Sequence, residues 1–300
     1  MSASASLDPV SERLVDWADG REAIRAMLLT STRAVPGATV DALSDYDVML
    51  VVRDVAPFVT DRRWIEAFGE VLVAYRDPFD AGMDFERDHC GNVVQYVDGL
   101  KIDFTLWPVS HVRAIVERDA LPDELDAGYR VLLDRDGLTA GLRRPTYAAY
   151  RPVRPDEAAF RTAINDFFTD VPYVAKCIRR GDLFPLKWAL DHDMKHVYLR
   201  PMLEWWVGCK EGWSRPVGAL GKGLRHRVPT DIWRELEASY AGGGMEENVE
   251  ALFRTVALYR RVAIDVGRHL GYTYPIELDE RVTAYARQVL TVSDSNSSTS

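Results

Sequence analysis

The stretch DYDVMLVV, Asp45 to Val52, decides how this chain reads. Its last five residues are an unbroken apolar run rich in β-branched side chains, which at that length predicts a central strand buried on both faces. Side chains alternate along a strand, so Asp45 and Asp47 project the same way, roughly 7 Å apart. Two carboxylates so placed repel each other, and a hard divalent cation such as Mg2+, which prefers oxygen ligands, relieves that repulsion. Solvated loop residues and helix caps produce the same D-x-D spacing, so the pair alone leaves both readings open.

Asp103 narrows the choice. It lies in LKIDFTL, Leu100 to Leu106, a strand pattern whose apolar neighbours place a carboxylate where burial is costly without a partner. If this strand pairs beside Asp45–Val52, Asp103 completes a triad around one or two metal ions; otherwise Lys101 or a backbone amide neutralises it. Asn92 to Val97 and Leu100 to Trp107 are strand-like runs on either side of Asp98-Gly99, which predicts a hairpin with a type I′ turn. Upstream, the later part of Ile24 to Thr30 reads as a strand. It ends at Ser31-Thr32-Arg33 before a Pro36-Gly37 turn, a loop whose amides, Thr32 hydroxyl and Arg33 guanidinium suit a phosphate. Ser11 is the expected cap of a short helix through Ala18, and Trp64 to Tyr75 has the apolar spacing of another helix.

Beyond this region the text changes. RRPTYAAYRPVRP, Arg143 to Pro155, carries three prolines that favour an extended connection, and it marks the expected boundary between a domain at 1–148 and a second at 149–290. The second domain reads as a helical bundle over Asp156–Arg180, Pro185–Cys209, Asp231–Ala241, Glu246–Leu270 and Glu277–Leu290. The last residues, 291–300, hold too little apolar surface to order. Trp188, Asp191, Glu204 and Trp205 on the long second helix are the candidates for binding an acceptor, since carboxylates suit ammonium groups and aromatic faces suit rings. Core packing and a solvated face are the plainer readings, the latter because Lys187, Asp191 and Lys195 follow i, i+4 spacing.

With 300 residues, 47% of them hydrophobic, the chain can build about two domains around substantial cores. A net charge of −9 argues against nucleic acid as partner and is compatible with a cationic small molecule. Cys90, Cys177 and Cys209 form no C-x-x-C pair, which predicts reduced thiols and a cytoplasmic protein; no signal or membrane segment is expected.

STRAVPGATVDALSDYDVMLVVRD resembles the G-S-R…P…D-Y-D signature of bacterial aminoglycoside 6-adenylyltransferases, the streptomycin-modifying branch of the nucleotidyltransferase superfamily. Arg33, Pro36, Asp41, Asp45, Tyr46 and Asp47 fall in register with it. DGLKIDFTLWP around Asp103, PYVAK ending at Lys176, MLEWWVG at Met202 to Gly208 and the G-x-x-GK segment ending at Lys222 extend the resemblance over most of the chain, about Asp16 to Tyr285. It implies an α+β protein: an N-terminal nucleotidyltransferase-type mixed β-sheet domain with flanking helices, then a C-terminal α-helical bundle, with ATP and acceptor bound between them. It also implies an enzyme that transfers AMP from ATP to an aminoglycoside hydroxyl and so confers antibiotic resistance, as monomer or homodimer. Asp45 and Asp47 then look like ligands of Mg2+. Asp103 looks like a third ligand or a general base, Ser31, Thr32 and Arg33 like part of the nucleotide site, and Lys176 and Lys222 like lysines reaching the triphosphate. This chain departs from the signature in carrying Ser31-Thr32 for Gly-Ser, and Ala219 where relatives often have lysine. Another small hydroxylated acceptor, or a non-catalytic nucleotide-binding regulator of the same fold, are the alternatives.

Overall fold

Asp8, not Ser11, caps the first helix. In a computed structural model, which describes residues 7–35, 38, 40–80, 82–85 and 90–291, the Asp8 carboxylate accepts from the amides of Val10 and Ser11 at 3.1 Å each. Helix α1 spans Pro9–Asp19, with proline at its start, where a missing amide costs nothing. The Pro36-Gly37 turn and the tail beyond Thr291 lie outside the described residues; Thr291 itself, expected in the tail, ends a helix. The chain divides into two compact units between Ala149 and Tyr150.

In the first unit β1 (Ile24–Thr30) and β2 (Tyr46–Val52) are followed by α2 (Ala56–Thr60), β3 (Val71–Arg76), β4 (Gly91–Tyr96) and β5 (Lys101–Pro108). Then come α3 (Val109–Val116), α4 (Asp123–Asp126) and β6 (Tyr129–Asp134). The strands form one mixed sheet in the order β3-β4-β5-β2-β1-β6, in which β2 and β5 run parallel and the other pairs antiparallel. As DYDVMLVV implies, β2 is buried on both faces. Val48, Leu50 and Val52 join Met27, Leu29 and Phe104 under Trp17 and Phe68, while Met49 and Val51 join Leu28 and Trp107 under Ile115 and Leu125. Burying each such side chain contributes about 1.5–3 kcal/mol, so this register is strongly preferred.

Two local expectations fail. The segment Trp64–Tyr75 is not a helix: a 3-10 turn over Arg63–Phe68 stops at Gly69, whose φ of 139° has no place in a helix, and edge strand β3 follows. Its apolar spacing misleads because Leu72, Val73 and Tyr75 stay exposed on that edge. The hairpin β4–β5 is present, but its turn is wider than type I′. Gly99 donates to the Tyr96 carbonyl at 3.1 Å, and of the connecting residues only Gly99 is left-handed, with φ 91°.

The second unit is helical: α5 (Glu157–Arg180), α6 (Leu183–Lys187), a π-helical stretch Trp188–Leu199, α7 (Arg200–Glu211), α8 (Thr230–Ala238), α9 (Met245–Leu270) and α10 (Ile276–Thr291). The helix expected over Pro185–Cys209 is therefore three consecutive pieces. Phe160, Phe167, Phe168 and Tyr259 anchor the core, with the Phe167 and Tyr259 rings stacked at 3.7 Å. Lys195 overturns the solvated-face reading of its i, i+4 series: it is 2% exposed, its ammonium bonded to Asp191 at 2.5 Å and set 4.3 Å over the Tyr240 ring. No helix among the described residues is long and apolar enough to cross a membrane.

Candidate active site

Parallel pairing of β2 with β5 puts Asp47 directly opposite Asp103. Both side chains share the sheet face of Met49, Val51 and Trp107, because residues two apart on a strand face the same way. Asp45 stands one residue ahead of β2, and Lys101 opens β5 on the face of Asp103. The Lys101 ammonium reaches Asp45 Oδ2 at 2.5 Å and Asp103 Oδ2 at 3.0 Å. The two strands thus pair as the triad reading requires, and Asp103 is bonded to Lys101 as the alternative reading has it.

One ammonium does not balance three carboxylates. The pKa of Asp47 is raised above the ordinary carboxylate range, first by burial, then by the charges of Asp103 and Asp45; a hydrogen bond from the Ser31 hydroxyl and the charge of Lys101 oppose this. Asp103 Oδ1 is buried with no hydrogen-bond partner among the described residues. Burial works to lower the pKa of Lys101, but its bonds to Asp45 and Asp103 prevail and raise it. These hard oxygen donors, with one orphaned oxygen and uncompensated negative charge, fit a divalent cation of the Mg2+ type. Among the described residues no group of three or more His, Cys, Asp or Glu side chains converges closely enough to cage an ion, since Asp45 and Asp103 converge on Lys101 Nζ instead.

The loop after β1 closes one side of this cluster, for Thr30 is the register partner of Asp47. Ser31 follows with φ 58°, a left-handed conformation that glycine adopts freely and an L side chain only at a cost. Thr32 is exposed. Arg33 turns inward: its Nε donates to the Asp45 carbonyl at 3.0 Å, its Nη2 to the Ser44 carbonyl at 2.7 Å, and its guanidinium lies 3.8 Å over the Tyr46 ring. Tyr46 in turn donates to Asp8 at 2.8 Å. The chain leading into the Asp-Tyr-Asp segment is therefore fixed from two sides, a role for Arg33 that the sequence did not indicate. Lys101 was visible only as a neutralising partner of Asp103; its second bond, to Asp45, needs the sheet.

In the helical unit Lys176 and Lys222 are exposed. Glu204 and Trp205 line one open cavity of about 470 Å³ together with Arg154, Arg200, Gly218 and Leu220. Burial raises the pKa of Glu204 against the opposing charge of Arg200, its partner at 2.6 Å. Trp188 and Asp191 do not line that cavity. Asp191 is bonded to Lys187 at 2.6 Å as well as to Lys195, and Trp188, 63% exposed, stacks on His192 at 4.4 Å.

A mixed sheet presenting aspartates from neighbouring strands, followed by a helical unit, is in class a nucleotidyltransferase. The family model for streptomycin adenylyltransferase matches residues 6–289, and the chain belongs to that family. An aminoglycoside 6-adenylyltransferase of Bacillus subtilis (strain 168) is 28% identical over 281 residues, covering 92% of this chain and 94% of its own. One from Campylobacter jejuni is 26% identical over 278 residues, covering 92% and 93%. A crystal structure of an aminoglycoside 6-adenyltransferase from Bacillus subtilis is 24% identical and covers 95% of this chain and 100% of its own, with a TM-score of 0.43.

Proposed function

We propose that this protein transfers the AMP group of ATP to a hydroxyl of an aminoglycoside of the streptomycin type. The observation that carries the reading is the register of β2 on β5, which sets Asp47 against Asp103 with Asp45 at the strand entrance. Asp45, Asp47 and Asp103 would hold Mg2+, which when bound supplies positive charge to the α-phosphate and to departing pyrophosphate. Asp103, whose side chain is 29% exposed, would act as the general base that accepts the proton of the attacking hydroxyl. The oxygen of the acceptor hydroxyl forms its bond to the α-phosphorus as the bond from that phosphorus to pyrophosphate breaks. Ser31 and Thr32 border the triphosphate, and Arg33 fixes the loop on which they sit. Lys176 and Lys222 add positive charge toward the phosphates, and the 1–148 segment supplies the catalytic side chains while 149–290 binds nucleotide and acceptor.

Glu204 and Trp205 support the acceptor assignment in that a carboxylate and an aromatic face share one cavity, with Arg200 paired to Glu204 at 2.6 Å. Trp188 and Asp191 carry less, since Asp191 already has two lysine partners. The test is mass spectrometry of an aminoglycoside panel incubated with the protein, ATP and Mg2+. Streptomycin is expected to gain the mass of an AMP group. If no aminoglycoside gains it while the protein binds ATP, the acceptor is a different hydroxylated compound.

A further inference from the structure

The ammonium of Lys101 sits where a divalent ion shared by Asp45 and Asp103 would have to bind. It bonds one oxygen of each, at 2.5 and 3.0 Å, and all three side chains are partly exposed, at 29% for Lys101, 38% for Asp45 and 29% for Asp103. A Mg2+ ion takes its oxygen ligands at about 2.0–2.1 Å and tolerates little distortion. An ammonium at hydrogen-bond distance from the same two oxygens opposes it, because the like charges would stand within a few ångströms in a half-buried site. Lysine can leave such a position more readily than arginine, since its charge is a single point on a flexible four-carbon stem with no planar fork to break. Its side chain also retains solvent access, so withdrawal does not require the sheet to open.

We propose that Lys101 is a displaceable internal counter-ion: it holds Asp45 and Asp103 together before the metal arrives, competes with the metal for the same two oxygens, and must release at least one of them for the site to load. Lys101 is thus a positioning residue that sets how tightly, and at what concentration, the divalent ion binds. This goes beyond the functional reading but rests on it in one respect, that Asp45, Asp47 and Asp103 bind a cation. Its position in the fold sets up the competition. Lys101 and Asp103 are two residues apart on the same face of β5, and the parallel register brings the strand entrance at Asp45 alongside Lys101.

The competition has a sign that a purely structural lysine would not produce. Lys101→Met keeps the apolar stem and removes the competing charge. Mn2+ should then bind the variant at least tenfold more tightly than the wild type, measured by the electron paramagnetic resonance signal of free Mn2+ or by calorimetry. The metal-free variant should melt at a lower temperature, because Asp45 and Asp103 lose the ammonium they share, and Mn2+ should raise its melting temperature by more than it raises that of the wild type. Lys101→Arg retains the charge on a forked group and should bind Mn2+ more weakly than the wild type. Asp47→Asn serves as the control and should lose most Mn2+ binding. If Lys101→Met binds Mn2+ no more tightly than wild type while Asp47→Asn still loses it, the aspartate site stands and the counter-ion proposal is overturned. If Mn2+ binding is indifferent to Asp47→Asn, the cation-binding reading of the aspartates falls, and the proposal with it.

Discussion

Asp279 and Asp47 are carboxylates taken into the protein, one in each unit, and they respond to burial in opposite ways. Asp279 is fully buried, yet Arg260 donates to both of its oxygens, at 2.6 Å to Oδ1, while Tyr274 reaches Oδ2 at 2.7 Å and Thr283 reaches Oδ1 at 3.0 Å. Burial pulls its pKa up, but these donors prevail and hold it below the ordinary carboxylate range. Asp47 has a single serine hydroxyl and two carboxylate neighbours, and its pKa rises. The helical unit supplies donors until this charge is complete; the sheet leaves negative charge to be met by something that binds. The completed charge serves the structure, and the incomplete one makes Asp47 a candidate for a bound cation.

Removing charge from the incomplete side should have the largest effect. Asp47→Asn, and separately Asp45→Asn, should lower adenylyl transfer by ~10³-fold or more, as expected from losing several kcal/mol of transition-state charge stabilisation, with the unfolding midpoint in denaturant nearly unchanged. Pyrophosphate release measures the first and urea titration the second. Turnover near that of the wild type would remove the site assignment.

On the completed side the effects should reverse. Arg260→Met strands the buried Asp279 carboxylate and should destabilise the protein by about 3–5 kcal/mol, the usual consequence of breaking a buried pair, while leaving Mn2+ affinity unaltered. A loss below about 1 kcal/mol would show that Tyr274 and Thr283 suffice alone.

Asp170 tests whether every charge of the helical unit is complete. Burial, and then the carboxylates of Asp193 and Asp166, push its pKa up to about 6 from an ordinary 3.8. The folded state therefore binds this proton more tightly than the unfolded chain does. The corresponding stability is present below the ordinary carboxylate pKa and disappears as pH rises through about 6. Asp170→Asn should flatten the fall in melting temperature between pH 4 and pH 7, so parallel curves for the two proteins would show that the proton is not held.

The smallest change expected is at Ser31. Ser31→Gly relieves a left-handed backbone that costs about 1–2 kcal/mol in an L residue, but it adds unfolded-chain entropy of about 0.5–1 kcal/mol and deletes the hydroxyl bonded to Asp47. These terms nearly cancel, and the net change in stability should stay under ~1 kcal/mol by denaturant unfolding. Transfer activity should survive, since the signature that this chain resembles carries glycine there. Loss of activity would mean that the Ser31 hydroxyl is needed to hold Asp47.

Local pattern carried much of the architecture. The apolar run of β2, the alternation of β4 and β5 and the long 3.6-residue periods of α5, α9 and α10 were legible because each is written in residues a few positions apart. So was the side of β2 on which Asp47 lies, which follows from strand parity, whereas Asp45 stands one residue ahead of the strand. Edge strand β3 was not, because its exposed Leu72, Val73 and Tyr75 give the spacing of a helix. Nor were α3 and β6.

Local sequence pattern therefore determined β2, β4, β5 and the long helices, and which side chains point together along each of them. Only the tertiary structure decided that β5 runs parallel to β2, which sets Asp103 against Asp47 and Lys101 against Asp45 across 56 residues of chain. It alone decided that Lys195, in a run of i, i+4 charges fit for a solvated face, lies buried against Asp191 and Tyr240. The physical reason is the same in both cases. Periodicity is fixed by backbone geometry between near neighbours, whereas the partner of a charge is fixed by which distant surfaces bury the most apolar area together, and that competition is settled over the whole fold.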